Sequence, residues 1–366
     1  MQQHQDVLIH LTERVCAAQA SASPLRVRGG GTKDFYGHAP RGEILDMAAY
    51  AGVVSYEPSE LVVTARAGTP LAELEALLAA QGQCLPFEPP HFGPGATVGG
   101  MVASGLNGPA RSSVGAVRDY VLGVQLLNGK GEVLTFGGQV MKNVAGYDVS
   151  RLMAGSLGTL AVILEVSLKV LPVPPAECTL TFEMDEAAAL QQLNRWGGLP
   201  LPINASCWQS VGGTGQLVVR LRGAVAAVAA AQKTMAGQSL PGSEANALWH
   251  SLREQTAAFF ALQTGQSLWR VSVADTAPPL GLGATLIEWG GAQRWLKRPA
   301  GDAALIRAAA ASAQGHATLF RSAATEDDTV PVFTPLSAPL ARIQHNLKTQ
   351  FDPAGILNPG RMLAAA

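Results

Sequence analysis

Glycine is concentrated in three separated segments of the first half of this chain, and these segments constrain its fold more than any other feature. The first segment reads RVRGGGTKDFYG and places three consecutive glycines directly after a short β-prone run. Glycine has no Cβ atom, so its backbone can adopt positive φ and bring N–H groups close to a ligand. The triplet therefore predicts either an anion-binding loop or an ordinary surface turn.

The second segment, Pro89 to Gly123, is rich in glycine but contains no known nucleotide fingerprint. Val98 stands where the third glycine of a Rossmann fingerprint belongs, and no clean strand-to-helix context surrounds the segment. Outside this segment, neither Lys33 nor Lys130 is followed by the Ser or Thr that completes a P-loop. A simple NAD or ATP site is therefore not predicted.

The third segment, KNVAGYDVSRLMAGSLGTLAVI, has a candidate turn at Ala145-Gly146-Tyr147 and two further glycines ahead of a strand. Three glycine-rich segments, each beside a strand, predict one long groove within a single domain. Such a groove suits a large, flat cofactor that carries a diphosphate.

Size and charge restrict the class of protein and of ligand. The chain has 366 residues, of which 48% are hydrophobic, and a single core usually splits at this size. Its formal net charge of -1, without a long run of one sign, excludes the basic footprint of nucleic-acid or anionic-membrane binding. We therefore expect two domains and a small-molecule ligand.

Cysteine spacing and apolar runs narrow the interpretation further. The four cysteines form no C-x-x-C pair, so we expect buried small side chains rather than disulfides, a zinc site or an Fe–S cluster. The N-terminus predicts an amphipathic helix with Val7, Leu11 and Val15 on one side and not a signal peptide. No apolar run approaches the roughly 20 residues that span a bilayer. The sequence thus predicts a soluble chain in the cytoplasm.

The two halves differ in composition. All five tyrosines lie between Tyr36 and Tyr147, all six tryptophans lie between Trp196 and Trp295, and LPVPP separates them. The first half mixes strands with a helix from Pro70 to about Gln81, for which Thr69 is the predicted cap. The second half predicts an antiparallel sheet covered by helices on one face.

The last residues predict a helix and an irregular tail. SAPLARIQHNLKTQF has Ser337 as its predicted cap, with an apolar stripe ending at Phe351. DPAGILNPGRM follows as a turn-rich, extended end.

Five motifs in this order resemble a known family: RGGGT, GPGATVGGMVASG, VGAVRDYVLGVQLLNGKGEVL, KNVAGYDVSRLMAGSLGTLAVILEVSLKV and FDPAGILNPGRM. They are similar to FAD-binding oxidoreductases of the vanillyl-alcohol oxidase and p-cresol methylhydroxylase type, in the D-lactate and glycolate dehydrogenase branch. The smaller flavin-binding subunits of bacterial glycolate oxidases match best.

The resemblance implies an α+β fold: a two-subdomain FAD-binding fold of the p-cresol methylhydroxylase type with an antiparallel-sheet α+β cap domain. The implied division is an FAD-binding domain over 1–172 and a cap domain over 173–335. A C-terminal helix and tail, 336–366, return to the FAD domain.

The resemblance also implies the cofactor, FAD, and a set of residues around it. The pyrophosphate would lie on the glycine triplet, with the second segment lining the groove and the third at the adenine and ribose. The implied cofactor-binding residues are Gly29, Gly30, Gly31, Thr32, Thr97, Gly99, Gly100, Ser104, Gly105, Gly115, Asp119, Gly158, Thr159 and Ile163. Relatives that attach FAD covalently often have histidine where Thr32 stands, so we expect non-covalent FAD.

Catalytic residues are not identified by sequence. Catalytic relatives carry a metal motif, H-x-G-D-G-N-x-H, but the corresponding QGHATLFRS retains only His316, and one histidine cannot hold a metal. Asn358 and Arg361 of LNPGR are the other candidates, because this tail returns to the flavin in the family. Leu157 stands where many relatives have glutamate. We therefore predict no metal site.

Two functions of different kinds remain open. The favoured one is an FAD-binding subunit of a glycolate oxidase complex that oxidises glycolate to glyoxylate. Its implied partners are a larger FAD-binding catalytic subunit and an Fe–S subunit, with peripheral contact to the inner face of the plasma membrane. The alternative is a stand-alone FAD-dependent D-2-hydroxy-acid dehydrogenase. A non-catalytic structural flavoprotein subunit and an NADPH-dependent flavin reductase are weaker alternatives.

Overall fold

A computed structural model describes residues 2–138, 148–211, 213–322 and 330–363 of the chain. The candidate turn at Ala145-Gly146-Tyr147 lies outside these residues. The first half contains α1 (Gln2–Ser21), β1 (Leu25–Arg28), β2 (Glu43–Asp46), β3 (Val53–Glu57), β4 (Val62–Arg66), α2 (Leu71–Ala79), β5 (Gln83–Cys84), α3 (Val98–Ser104), α4 (Arg111–Val114), α5 (Val117–Tyr120), β6 (Val121–Leu127), β7 (Val133–Gly137), α6 (Val149–Leu152), β8 (Val162–Lys169) and β9 (Leu171–Pro172).

The second half contains β10 (Ala176–Glu183), α7 (Glu186–Gly197), β11 (Ile203–Val211), β12 (Thr214–Gly223), α8 (Val225–Met235), β13 (Gln238–Ser239), α9 (Gly242–Arg253), β14 (Ser267–Ser272), β15 (Thr285–Glu288), β16 (Gln293–Arg298), α10 (Ala303–Ser312), β17 (His316–Arg321) and α11 (Ala338–Phe351). The boundaries predicted at 172/173 and 335/336 stay predictions, although the two large sheets lie on either side of the first.

The first large sheet has five antiparallel strands in the order β3-β4-β8-β6-β7. Its central strand β8 has Val, Ile or Leu at five of its eight positions and is buried on both faces, as this content predicts. The predicted N-terminal helix is confirmed, with Leu11 and Val15 in the same core as the sheet. A separate parallel pair, β1 and β2, lies beside this sheet, shares its core and leads into the glycine triplet.

Helix α2 confirms its predicted apolar stripe but not its predicted cap. Leu71, Leu74 and Leu78 are fully buried, and each contributes about 1.5–3 kcal/mol of hydrophobic free energy. The helix spans Leu71–Ala79 and has Pro70 at its N-cap position. The prediction that Thr69 caps this helix is wrong, because the Thr69 hydroxyl bonds to the backbone N–H and C=O of Gly52 instead.

The second large sheet has eight antiparallel strands in the order β13-β10-β12-β11-β15-β16-β14-β17. Helices α7, α8 and α10 contribute to the clusters on one face, which include Val219 on β12 and Trp269 on β14. The prediction that helices cover only one face is wrong for α9. Trp249 of α9 packs with Val218 on the opposite face, and its indole donates to Thr179 Oγ1 at 3.0 Å.

The opposite face of this sheet meets the first domain through specific polar contacts. Glu88 accepts hydrogen bonds at 2.7 Å from Arg220, which is almost fully buried, and forms an ion pair at 3.3 Å with Arg222. The Trp289 indole donates to the carbonyl of Gly108 at 3.0 Å. These contacts fix the eight-stranded sheet, which we call the cap sheet, over the loops of the second glycine segment.

The C-terminal tail is anchored on the first domain. Leu357 forms a parallel bridge with Leu25 of β1, and both are buried in that domain's core. Lys348 of α11 donates to Thr159 O at 2.6 Å and pairs with the buried carboxylate of Asp352. Ser337 occupies the predicted N-cap position but makes no side-chain cap bond.

The prediction of four buried cysteines holds only for Cys207, since Cys16 is exposed and Cys84 and Cys178 are half-buried. In the part of the chain that the structure describes, no helix has the length and apolar character needed to cross a membrane.

Candidate functional site

The glycine triplet is packed against the second glycine segment. A Cβ atom on Gly30 would lie 1.5 Å from the carbonyl oxygen of Gly95, and one on Gly29 would lie 2.3 Å from Thr97 Oγ1. Gly31 has φ +74°, a conformation that side chains rarely adopt. Two loops therefore approach so closely that only glycine fits between them.

This packing leaves a row of backbone donors along the edge of a cavity. Within the described residues, no acceptor pairs with the backbone N–H groups of Gly29, Gly30, Gly31 and Thr32. All four residues line a cavity of about 90 Å³. Successive unpaired N–H groups of this kind form an anion-binding concavity.

Cationic side chains surround the same cavity. Arg26, Arg28, Lys33 and Arg361 line it together with one carboxylate, Asp34. Asp34 pairs with Arg26 at 2.5 Å and with Arg28 at 3.0 Å. The Arg26 Nε atom is buried and has no hydrogen-bond partner within the described residues. Cations outnumber the carboxylate, so the cavity favours an anion with more than one negative charge.

Burial shifts the titration of two of these cations. It lowers the pKa of Lys33 to about 8, against the opposing effect of the Glu254 carboxylate. It also lowers the pKa of Arg361 to about 10, although Asp34 favours the charged form. Both groups thus lack full solvation, and a bound anion would stabilise their charged forms.

A second, more apolar cavity of about 60 Å³ continues the first. Thr97, Gly100 and Leu157 line both cavities, while Met47, Ala67 and Ile163 line only the second. The backbone N–H groups at the start of α3 already donate to Thr69 O, Ala67 O and Thr97 Oγ1. The triplet, and not this helix, therefore supplies the free donors in the groove that the two cavities form.

The structure brings ten of the fourteen implied cofactor residues to this groove. They are Gly29, Gly30, Gly31, Thr32, Thr97, Gly99, Gly100, Ser104, Gly158 and Ile163. Their role in cofactor binding stays a prediction.

The other four residues do not line the groove. Gly105, at φ +63°, ends α3, and Asp119 accepts from the Ala116 N–H at 2.8 Å next to Gly115. The Thr159 hydroxyl donates to Ser156 O at 2.7 Å. These contacts shape the turns on which the groove stands.

The three catalytic candidates are separated. Asn358 and Arg361 line the groove, but their polar groups bind the backbone: the Asn358 amide joins Val27 N to Leu157 O, and Arg361 donates to three carbonyls including Asp34 O at 2.8 Å. His316 is exposed at the start of the edge strand β17, and partial burial of its ring with the nearby Arg270 charge lowers its pKa. The described residues contain no group of three His, Cys, Asp or Glu side chains arranged to hold a metal.

Sequence reasoning missed the cations of the groove and a third cavity, which is polar. Arg26, Arg28 and Lys33 flank the triplet in RVRGGGTK, and this flanking charge was the available signal. This third cavity lies between the domains and is lined by Arg270 and Glu288, among others. Its residues come from several strands, and no sequence spacing indicates that they meet.

The groove fits FAD by its chemistry. Free backbone donors and four cations suit the pyrophosphate, whereas the adjoining apolar section suits a ring system. The buried, unpaired Nε of Arg26 is an additional donor for an acceptor-rich ligand.

Comparisons with known proteins agree with this assignment. An FAD binding domain model matches residues 10–137. Glycolate oxidase subunit GlcE of Escherichia coli (strain K12) is 46% identical over 355 residues, which cover 97% of each chain. Glycolate oxidase subunit GlcD of Bacillus subtilis (strain 168) is 30% identical over 170 residues, 45% of this chain and 36% of that protein.

A solved structure, alkyldihydroxyacetonephosphate synthase, shares the fold with a TM-score of 0.67 at 16% identity, over 95% of this chain and 75% of its own. The predicted α+β FAD-binding fold is thereby confirmed, and so is FAD as the cofactor. Because GlcE is 46% identical over 97% of each chain, the chain belongs to the family of FAD-linked oxidoreductase subunits represented by glycolate oxidase subunit GlcE.

Proposed function

We propose that the chain is the FAD-carrying subunit of a glycolate oxidase that converts glycolate to glyoxylate. The observation that carries the proposal is the groove itself: four unpaired backbone N–H groups and four cations line one cavity, continuous with an apolar one. Similarity to GlcE over almost the whole chain supports the choice of substrate and of enzyme.

The residues of the groove have separate tasks in holding FAD. Gly29 to Thr32 would donate backbone hydrogen bonds to the pyrophosphate, and Lys33 and the arginines would balance its charge. Met47 and Ile163 would contact the ring system in the apolar section. When bound, FAD supplies a two-electron acceptor for a hydride from substrate. The anchored tail, through Asn358 and Arg361, holds the loops in register.

FAD is held without a covalent bond in this proposal. Thr32 occupies the position after the triplet, and its hydroxyl lies 3.4 Å from Lys33 Nζ. A threonine hydroxyl does not form the flavin linkage that a histidine ring makes in covalent relatives. Affinity then depends on the many contacts of the groove.

The proposed partners are a larger FAD-binding catalytic subunit and an Fe–S subunit. Electrons that enter flavin as a pair and travel singly to a quinone require a one-electron carrier. The four cysteines lie on separate elements, with Cys207 buried in the cap sheet and Cys16 on the surface of α1. We therefore place the carrier on a partner, and the complex at the inner face of the plasma membrane.

A second function is favoured by one specific observation. The cavity between the domains contains an arginine and a carboxylic acid, Arg270 and Glu288, which are suitable groups for a small hydroxy acid. A stand-alone 2-hydroxy-acid dehydrogenase would need such groups on this chain.

The test compares the chain alone with the reconstituted complex. The visible flavin spectrum is recorded before and after anaerobic addition of glycolate. We expect an oxidised flavin that persists in the chain alone, and dye reduction by the complex that is lost when this subunit is omitted. Full dye-reducing activity of the partners without this chain would contradict the proposal, and bleaching of the isolated chain would favour the stand-alone enzyme.

A further inference from the structure

Three polar residues on neighbouring strands face the interdomain cavity. Arg270 on β14 lies opposite Trp295 on β16, and Gln293, two residues before Trp295 on the same face, lies opposite Glu288 on β15. Strand β16 thus places Gln293 and Trp295 between Arg270 and Glu288. We call this cavity, lined by Arg270, Glu288, Gln293, Trp295, Phe320 and Phe92, the interdomain chamber.

Glu288 is buried, and its hydrogen bonds are unevenly distributed. Its Oε2 atom accepts from the Trp295 indole at 2.6 Å and from Gln293 Nε2 at 3.0 Å. Within the described residues, no donor pairs with Oε1. One oxygen of a buried carboxyl group is thus available to a ligand.

Gln293 presents a second available oxygen. Its Nε2 donates to Glu288, which fixes the orientation of the amide. Its Oε1 is then the remaining atom, and it is buried without a partner within the described residues. A buried acceptor normally has a donor, so this atom indicates a ligand that brings one.

Arg270 provides the positive charge of the chamber. Its Nη2 donates to the Tyr36 hydroxyl at 2.8 Å, and its guanidinium lies over the rings of Tyr36 and Phe320, each with a centroid 5.5 Å away. Stacking holds the planar group in place while leaving other N–H donors for an anion.

The chamber adjoins an open, basic cleft. Phe92 and Arg253 line both the chamber and a cleft of about 580 Å³, to which Arg321, His250 and the carboxylate of Glu254, which pairs with Arg253 at 2.8 Å, also contribute. The enclosed part of the chamber measures about 20 Å³, which suits a hydroxyl group or a water molecule. The cleft accommodates the rest of a ligand, and its cations attract anions toward the chamber.

We propose that the interdomain chamber binds a small carboxylate that also carries a hydroxyl group, with Gln293 accepting from the hydroxyl and Arg270 and Glu288 binding the carboxylate. Binding by Glu288 requires its protonated form, in which Oε1 donates. The choice of a hydroxy acid agrees with the proposed function and, in its identification with glycolate, rests on it.

The charges around Glu288 support its protonation near neutrality. Burial, and a smaller effect of the Glu88 carboxylate, raise the pKa of Glu288 to about 7 despite the bonds from Trp295 and Gln293. Cys207, opposite Glu288 on β11, has a pKa raised well above its usual value and stays neutral. Arg270 and Arg253 are the cations that line the chamber.

The first test uses glycolate and acetate, which differ by the hydroxyl, on the full FAD-loaded chain. Calorimetry should show glycolate binding about tenfold more tightly than acetate, a typical value for one buried hydrogen bond. Gln293→Met should bring the two affinities together. A Gln293→Met chain that retains the preference, or a wild-type chain that has none, would overturn the proposal.

The second test uses pH. Because the pKa is about 7, the protonated fraction falls about tenfold between pH 6 and pH 8, and glycolate affinity should fall with it. Glu288→Gln should abolish this dependence, whereas an unchanged dependence in the variant would contradict the role of Glu288. Unfolding temperature and flavin absorbance verify the fold of each variant. If Glu288→Gln does not fold, Arg270→Gln must weaken glycolate and acetate equally, and an unaltered affinity would refute the site.

These results are separable from the proposed function. A chain without glycolate binding that is still required by the complex would remove the chamber and leave the proposed function intact. A chain that binds glycolate as expected but is dispensable for the complex would retain the chamber and remove the proposed function.

Discussion

The groove and the interdomain chamber are built from different parts of the chain. In the groove, backbone N–H groups of Gly29 to Thr32 are the free donors, and side chains such as Asn358 and Arg361 hold the loops together. In the chamber, the backbone is paired within the cap sheet, and the groups that face a ligand are the side chains of Glu288 and Gln293, whose Oε1 atom is buried without a partner within the described residues. The groove therefore depends on where side chains are absent, and the chamber on which side chains are present.

This difference determines how each site tolerates change. A backbone site fails when a Cβ atom is added, because the loops cannot separate without losing their donors. A side-chain site keeps its fold under an isosteric substitution and changes only its ligand preference. The following experiments test that contrast, beginning with the largest expected effect.

Gly30→Ala should have the largest effect, because its Cβ would lie 1.5 Å from a backbone oxygen of Gly95. We expect a loss of about 3 kcal/mol or more in the free energy of unfolding and loss of FAD on purification. Thermal unfolding and the ratio of flavin to protein absorbance measure both. Gly242→Ala is the matched control, since nothing lies within 4 Å of its Cβ position. Retention of FAD by Gly30→Ala would show that FAD binding does not depend on the absence of a side chain at this position.

Glu88→Gln tests the junction between the two domains, where Glu88 pairs with Arg220 and Arg222. It removes the charge that balances Arg220, which is 3% exposed, so we expect a loss of about 3 kcal/mol in the free energy of unfolding. FAD affinity should change little, because Glu88 does not line the groove. Denaturant unfolding and FAD titration measure the two effects, with exposed Glu57→Gln as control. A large loss of FAD affinity would show that the junction and the groove are coupled.

Lys33 makes the groove sensitive to pH. Its pKa is about 8 in the folded, FAD-free chain and 10.5 in its ordinary state, so the FAD-free fold gains stability as pH rises from about 8 to about 10.5. FAD binding favours the charged form, so FAD affinity should fall about tenfold from pH 7 to pH 9. Flavin fluorescence titrations check this. Lys33→Met should lose the dependence, and exposed Lys130→Met should keep it; the opposite pattern would exclude Lys33 as the group responsible.

The smallest effect is expected on α11, outside both sites. Leu340 and Ile343 are 53% and 56% exposed, so replacing either with serine should change the free energy of unfolding by less than about 0.5 kcal/mol. Leu347 on the same helix packs against the core, and its replacement by serine should cost about 1 kcal/mol or more. Denaturant unfolding compares the three variants. Equal losses of unfolding free energy in all three variants would mean that Leu340 and Ile343 are covered in the folded protein.

The same contrast explains what the sequence could predict. Glycine clusters report directly on backbone geometry, so the groove was predictable from the triplet and from Thr97 to Gly100. The stripe of α2 was predictable for a similar reason, since helical periodicity is local. Thr69 was assigned as a cap because local spacing does not show that Gly52 competes for its hydroxyl.

The chamber was not predictable by the same means. Arg270, Glu288 and Gln293 meet because β16 pairs with both β14 and β15, and strand pairing depends on the whole sheet. The position of α9 on the second face of that sheet is likewise a tertiary effect, since the aromatic surface around Trp249 is complementary to side chains from distant strands. Resemblance to a family identified the cofactor but gave no information on residues specific to this chain.

In our proposal, a groove made by the backbone holds FAD without a covalent bond. The most direct measurement is the visible absorption spectrum of the purified full chain, recorded before and after acid precipitation. We expect an oxidised flavin spectrum with one FAD per chain, all of it released into the acid supernatant. Flavin that stays with the precipitated protein would contradict non-covalent binding, and a chain that neither contains FAD nor takes it up on titration would contradict the groove itself.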